Sequence, residues 1–233
     1  MQSADKALQI LSLFDEAHPE RGVSELGRLI GVHKSTASRM LAAMEARGFV
    51  ARTGDRYRLG PEMVRLGTMA LRQLGLADAC RAPMTLLARD TGETVNLAVA
   101  DGDSALNIDQ VAGAHLVGVT DWTGRRLPLE RTANGKVLVA FGAAALADPD
   151  ATLREQLTQT LRAGYAIAIE DLEPGLVAVA APIFDAGGTC VAAISVSGPL
   201  YRIGQARLPE LGARCAEAAR TASARLGHRQ TAA

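Results

Sequence analysis

At 233 residues and 48% hydrophobic content, the chain can bury a substantial core and is long enough for two domains. Its 25 Lys+Arg balance 25 Asp+Glu, so total charge points to neither a nucleic acid nor a membrane surface. No apolar run approaches the ~18 residues of a membrane span, and the start "MQSADKALQIL" lacks a basic-then-apolar signal pattern, so a cytoplasmic protein is expected.

The cysteines Cys80, Cys190 and Cys215 are odd in number and far apart, which suits a reducing compartment and thiols acting as small hydrophobes. His18, His33, His115 and His228 have no Cys or His partner at the short spacings of structural zinc sites. Neither a metal, a cofactor nor a catalytic residue is assigned.

Apolar Leu8, Ile10, Leu11 and Phe14 recur at helical spacing, predicting a helix over Ser3 to Ala17 that "HPERG" ends. A second, shorter helix is expected over Glu25 to Ile30, with Ser24 as N-cap and Gly31 in the left-handed closing position. A third follows "VHK", about Ser35 to Arg47, closed by Gly48. The period then shortens. "FVART" and "RYRLG", joined around Gly54-Asp55, read as a β-hairpin.

Charge is concentrated here. Arg21, Arg28, Lys34, Arg39, Arg47, Arg52, Arg56 and Arg58 stand against Glu25, Glu45 and Asp55, so acids dominate elsewhere. On a helical wheel Ala37, Met40, Leu41 and Met44 share an apolar arc, while Ser35, Arg39 and Ala42 lie opposite, with Thr36 and Ser38 on the flanks. A small, polar, cationic face is what a major-groove helix needs, because short side chains let the backbone approach base edges and an arginine can grip guanine bidentately. Arg39 is the base-contact candidate. Gly27, Gly31 and Ala37 have the spacing of a helix-turn-helix, and Arg52, Arg56 and Arg58 would flank it on a basic wing. The candidate DNA-contacting residues are Ser24, Lys34, Ser35, Thr36, Ser38, Arg39, Arg52, Arg56 and Arg58. One such module makes few phosphate contacts, so a homodimer, or a dimer of dimers, on an inverted repeat is expected.

Pro61 can open a linker helix through "EMVRLGTMALRQLG". From about Leu76 the pattern is mixed: a helix before Gly92, then the strand-like runs "TVNLAVADG", "SALNIDQV" and "HLVGV". Helices are expected at Asn134 to Phe141, Ala151 to Ala163 and Gln205 to Leu226, and "LVAVAAPIFDAGGTCVAAISVSG" reads as two strands turning at Gly187-Gly188. A helix starting near Ala133 or Asn134 offers unpaired N–H groups to an anion. Ser195 and Ser197 face one side of a strand, and their hydroxyls need partners, from the protein or from a ligand. Trp122, the single tryptophan, either closes over a pocket or packs at a dimer surface; the surface is favoured.

The stretches "SADKALQILSLF", "VSELGRLIGVHKSTASRMLAAMEARGFVARTGDRYRLG", "LPLERTANGKVLVAF" and "EDLEPGLVAVAAPIFDAGGTCVAAISVSGP" occur in this order. Through them the chain resembles the IclR family of bacterial transcription regulators over nearly its whole length. The resemblance implies an α+β chain: a winged helix-turn-helix over residues 1–60, a linker helix over 61–75, and a GAF- or profilin-like α/β domain over 76–233 that binds an effector and oligomerises. It also implies a transcriptional regulator, most simply a repressor, controlled by a small organic or aromatic acid. On matching positions the pocket would be lined by Leu116, Val119, Ala133, Asn134, Ala168, Leu176, Ala178, Ser195 and Ser197. Glu130 and Arg131 stand where the family usually carries a histidine and a small residue, and Ala168 where it places an acid. Two readings compete. A small-molecule-binding protein with hydrolase-like activity would need Cys190 or a serine activated by a base, and an architectural DNA-binding protein would have no use for so large a second domain.

Overall fold

The computed structural model describes residues 2–15, 17–115 and 120–229. They form two compact units, Met1–Leu74 and Gly75–Ala233.

In the first unit, helix α1 (Gln2–Ser12) is followed by a two-residue strand β1 (Arg21–Gly22), α2 (Val23–Leu29), α3 (Lys34–Ala46), a wing of β2 (Val50–Thr53) and β3 (Arg56–Leu59), and α4 (Pro61–Leu74). Strand β1 adds to the wing in the order β1-β3-β2, all antiparallel. Ile10, Leu26, Ile30, Leu41, Met44, Val50 and Tyr57 make its core. A Cβ on Gly27 would lie 3.1 Å from the Val32 carbonyl oxygen and 3.3 Å from the Ala37 Cβ, so the α2–α3 crossing depends on a glycine. Gly31 takes a positive φ of 67° in the turn between them.

Three expectations are corrected in this unit. α1 ends at Ser12 rather than Ala17. The N-cap of α2 is Gly22, and Ser24 is its second residue, because β1 runs directly into the helix. The third helix begins at Lys34, with His33 as its cap: the imidazole accepts from the Ser35 amide at 3.4 Å.

The second unit comprises α5 (Leu76–Thr91), β4 (Thr94–Asp101), β5 (Ser104–Val111), β6 (Arg126–Pro128), α6 (Ala133–Ala140), α7 (Ala151–Ala163), β7 (Ala166–Ile169), β8 (Leu176–Phe184), β9 (Cys190–Pro199), α8 (Leu200–Ile203) and α9 (Leu208–Arg225). The strands form one antiparallel sheet in the order β6-β5-β4-β9-β8-β7. Strands β6 and β7 escape the sequence reading, being too short to show a period. Of the run "HLVGV", His115 lies outside any strand and the rest falls outside the described residues.

Period-2 alternation sorts the central strands into two unequal faces. Val95, Leu97, Val177, Val179, Ile194 and Val196 pack with α5 and α9 side chains such as Met84, Leu87 and Leu211. The opposite face carries Ala98, Ala168, Ala180 and Ala193, packed with Leu129, Val137 and Leu138 of the α6 segment. Branched residues fill the first face; small ones leave room on the second.

Candidate DNA-reading surface and ligand cavity

Lys34, Ser35, Ser38 and Arg39 are exposed on α3 and Thr36 is half-buried, while Ala37, Leu41 and Met44 face the core. The reading helix is thus oriented as its sequence requires. Among the described residues, Lys34 and Arg39 have no hydrogen-bonded or ionic partner within the protein, so both charges are free for an external phosphate or base. Ser24 is exposed in the first turn of α2.

The wing divides its arginines. Arg52 pairs across the ladder with buried Tyr57, whereas Arg58 pairs with Ala51 and Arg56 with Thr53. Directly opposed residues share a face, so Arg56 and Arg58 project together and Arg52 from the other side. The Arg52 Nε donates to the Gly54 carbonyl at the wing tip, 2.9 Å. Arg56 donates to Glu25 Oε2 at 3.4 Å, and Glu25 is also held by Arg21. Burial pushes the Glu25 carboxyl up, but hydrogen bonds from Arg21 and the Gly22 amide, with the charges of Arg21 and Arg56, outweigh it and hold the group below its ordinary 4.5.

In the second unit, the small-residue face of the sheet and the start of α6 enclose a small cavity of about 50 Å³. Ala133, Asn134, Ala168, Leu176, Ala178, Ser195 and Ser197 all line it. Leu116 and Val119 lie outside the described residues.

The helix start is built by its cap. The Thr132 hydroxyl accepts from the Gly135 amide at 3.0 Å and donates to the Pro128 carbonyl at 3.1 Å. A Cβ on Gly135 would collide with the Leu129 backbone, so glycine lets α6 seat there. The first amides of a helix have no intrahelical acceptor, and those of Ala133 and Asn134 find none among the described residues.

Wall residues beyond the expected lining are Asn96, Asn107, Leu127, Arg131, Thr132, Asp171 and Leu172; Trp122, weighed between a pocket and a dimer surface, also lines the cavity. Trp122 is held from behind, its amide donating to Gln110 Oε1 at 3.1 Å. Arg131 reaches across to donate to the carbonyls of Asp171, 2.8 Å, and Leu172, 2.9 Å. Asp171 in turn accepts from Lys136 Nζ at 2.5 Å, and the Lys136 side chain is 1% exposed. An acid therefore does stand in the cavity wall, although Ala168 supplies none. The adjoining Glu170 is the one described non-glycine residue at positive φ, 59°. A lysine inside the apolar run "ANGKVLVA" was the available signal for the ion pair; nothing in the sequence pointed to Asp171 as its partner.

All three cysteines are buried and none is in a disulfide. Burial pushes the Cys190 thiol up to about 11 and those of Cys80 and Cys215 to about 12, so all three are neutral at physiological pH.

A winged helix-turn-helix followed by an α/β unit around a polar-lined cavity is the architecture of a DNA-binding transcription regulator. Residues 3–54 match the IclR helix-turn-helix domain, and residues 68–148 and 141–224 match the bacterial transcriptional regulator IclR C-terminal domain. The chain belongs to the IclR family. The HTH-type transcriptional regulator XynR of Escherichia coli K12 is 31% identical over 248 residues, covering 98% of each chain. The transcriptional repressor IclR of the same organism is 31% identical over 94% of this chain and 88% of its own. An IclR homologue from Microbacterium hydrocarbonoxydans, solved in complex with 4-hydroxybenzoate, superposes with a TM-score of 0.84 at 24% identity, over 96% of this chain and 98% of that one. Family members are regulators rather than enzymes. No helix among the described residues is long and apolar enough to cross a membrane.

Proposed function

We propose that this chain is a transcriptional repressor that binds an inverted-repeat operator as a homodimer or a pair of dimers, and that a small organic or aromatic acid in the cavity sets its operator affinity. The observation that carries the reading is the donor set at the start of α6: the open amides of Ala133 and Asn134 beside the hydroxyls of Ser195 and Ser197. Helix N-termini favour anions, and hydroxyls complete a carboxylate's hydrogen bonds. The cavity wall carries one cation, Arg131, and one anion, Asp171, whose charge is already met by Lys136 from outside the wall. The relative whose structure holds 4-hydroxybenzoate supports an acid, and the relative named a repressor supports the sign of regulation.

On the DNA side the contacts belong to Lys34, Ser35, Thr36, Ser38 and Arg39 on α3, with Ser24 and the wing residues Arg52, Arg56 and Arg58 on phosphates. Residues 1–60 act as the reading head, 61–75 as linker and 76–233 as sensor. The effector acts by binding one arrangement of two paired heads more tightly than another, since a ligand shifts an equilibrium only by its differential affinity. The test is binding to fragments of the upstream region across a salt series, with and without candidate acids. Steeply salt-dependent binding that an acid changes supports the reading; an operator affinity indifferent to every saturating acid overturns its regulatory half.

A further inference from the structure

Resting on the reading that the cavity takes an acid, we propose that its ligand must also carry a hydrogen-bond donor, so that the site is built for a hydroxy acid rather than a bare carboxylate. The wall of the cavity contains two carboxamides, Asn96 on β4 and Asn134 on α6, only 4% and 7% exposed. The Oδ1 atom of each is sealed from solvent and has no hydrogen-bond partner. Asn96 is anchored through its other end, since Nδ2 donates to the Ser197 hydroxyl at 2.9 Å. Its oxygen is thereby left as an acceptor.

Buried acceptors without donors are rare in folded proteins and costly to maintain. Two of them, in the walls of the same cavity and on separate elements, indicate an absent donor. A carboxylate cannot supply one, because at neutral pH it is an acceptor only. It can be met by the Ala133 and Asn134 amides and by the serine hydroxyls, yet it leaves both carboxamide oxygens as they were. A hydroxyl on the same molecule satisfies one of them on reaching it, and sites that hydrogen-bond a ligand hydroxyl discriminate strongly against the analogue lacking it. The small side chains of Ala168 and Ala178 in the sheet wall leave the space in which these groups meet.

The experiment uses the full chain and matched sodium salts: lactate with propionate, 3-hydroxybutyrate with butyrate, and 4-hydroxybenzoate with benzoate, each titrated calorimetrically and by thermal shift. At least one hydroxy acid is expected to bind about tenfold or more tightly than its deoxy partner. In Asn134→Leu, which removes one acceptor while keeping the side chain's bulk, that ratio should fall. A ratio below about tenfold in every pair that binds overturns the donor requirement and leaves the acid reading standing. Binding by no member of any pair overturns both. The wild-type titrations decide the matter even if the variant fails to fold, and an undiminished ratio in a folded Asn134→Leu removes Asn134 from the assignment.

Discussion

The reading unit wears its chemistry on the outside, and the sensing unit keeps its own within. Lys34, Arg39 and Arg58 stand in water, where a charge costs folding almost nothing and waits for an external partner. Lys136, Glu93, Asn96 and Asn134 are buried, where each must be compensated by the fold or by a ligand. Glu93 is met in full by Arg202, through two hydrogen bonds of 2.6 Å. Substitutions in the first unit should therefore remove function and spare stability, whereas in the second the two should move together.

The largest effect is expected at the Lys136–Asp171 pair, and it should be asymmetric. Asp171→Asn leaves a buried ammonium without its countercharge and should cost about 3 kcal/mol, as breaking one side of a buried pair does. Lys136→Met leaves behind only an aspartate whose side chain is 30% exposed, which water can solvate, and should cost less than about half as much. Urea titrations of the two variants check this. Equal losses would mean that the pair behaves as an ordinary surface bridge, and the contrast between the units would weaken.

The second effect belongs to Arg39. Arg39→Ala should weaken operator binding by about 1–3 kcal/mol and relax base preference at one position, while folding stability changes by no more than about 0.5 kcal/mol. Binding to an operator set with each base varied in turn checks it. Weakening that is uniform across all sequences assigns Arg39 to a phosphate instead.

The same contrast explains what could be read in advance. The three helices and wing of the reading unit are local structures with strong punctuation, and the exposure of Ser35, Ser38 and Arg39 followed from the helical period alone. In the sensing unit, β4, β5, β8, β9 and α7 were visible for the same reason. The residues that escaped are those whose meaning is set by distant partners: Asp171 against Lys136, Arg131 against two carbonyls, Asn96 against Ser197. Period-2 alternation shows which side of a strand a residue takes, but not what will cover it. Ser195 and Ser197 were legible because they interrupt an apolar strand, whereas Asn96 does the same in β4 and passed unnoticed.

The wing supplies a third, smaller effect. Arg58 is exposed and unpaired among the described residues, and Arg52 is turned to the other face and tied to Gly54. Arg58→Ala should lower the slope of log affinity against log salt by about one, as the loss of a phosphate contact does; Arg52→Ala should lower it less. Equal slopes would show that both faces of the wing meet DNA, and that the Arg52 bond to Gly54 yields on binding.

Glu25 is the place where the reading unit resembles the sensing unit, because it ties two arginines to a partner within the protein. Its carboxyl is depressed below 4.5 by Arg21, the Gly22 amide and Arg56, against the opposing effect of burial. In the unfolded chain it takes up a proton near 4.5, so its contribution is complete above that pH and is lost as pH falls through the lower folded value. Glu25→Gln should therefore lower the melting temperature slightly at pH 7 and make no difference once the wild-type carboxyl is protonated. The loss is small because the side chain is 27% exposed. The DNA readout should move the other way: with the carboxylate gone, Arg56 is released beside Arg58, and the salt slope should steepen by up to about one. A slope that stays the same would mean that Arg56 serves the wing's own structure and gains no phosphate contact on release from Glu25.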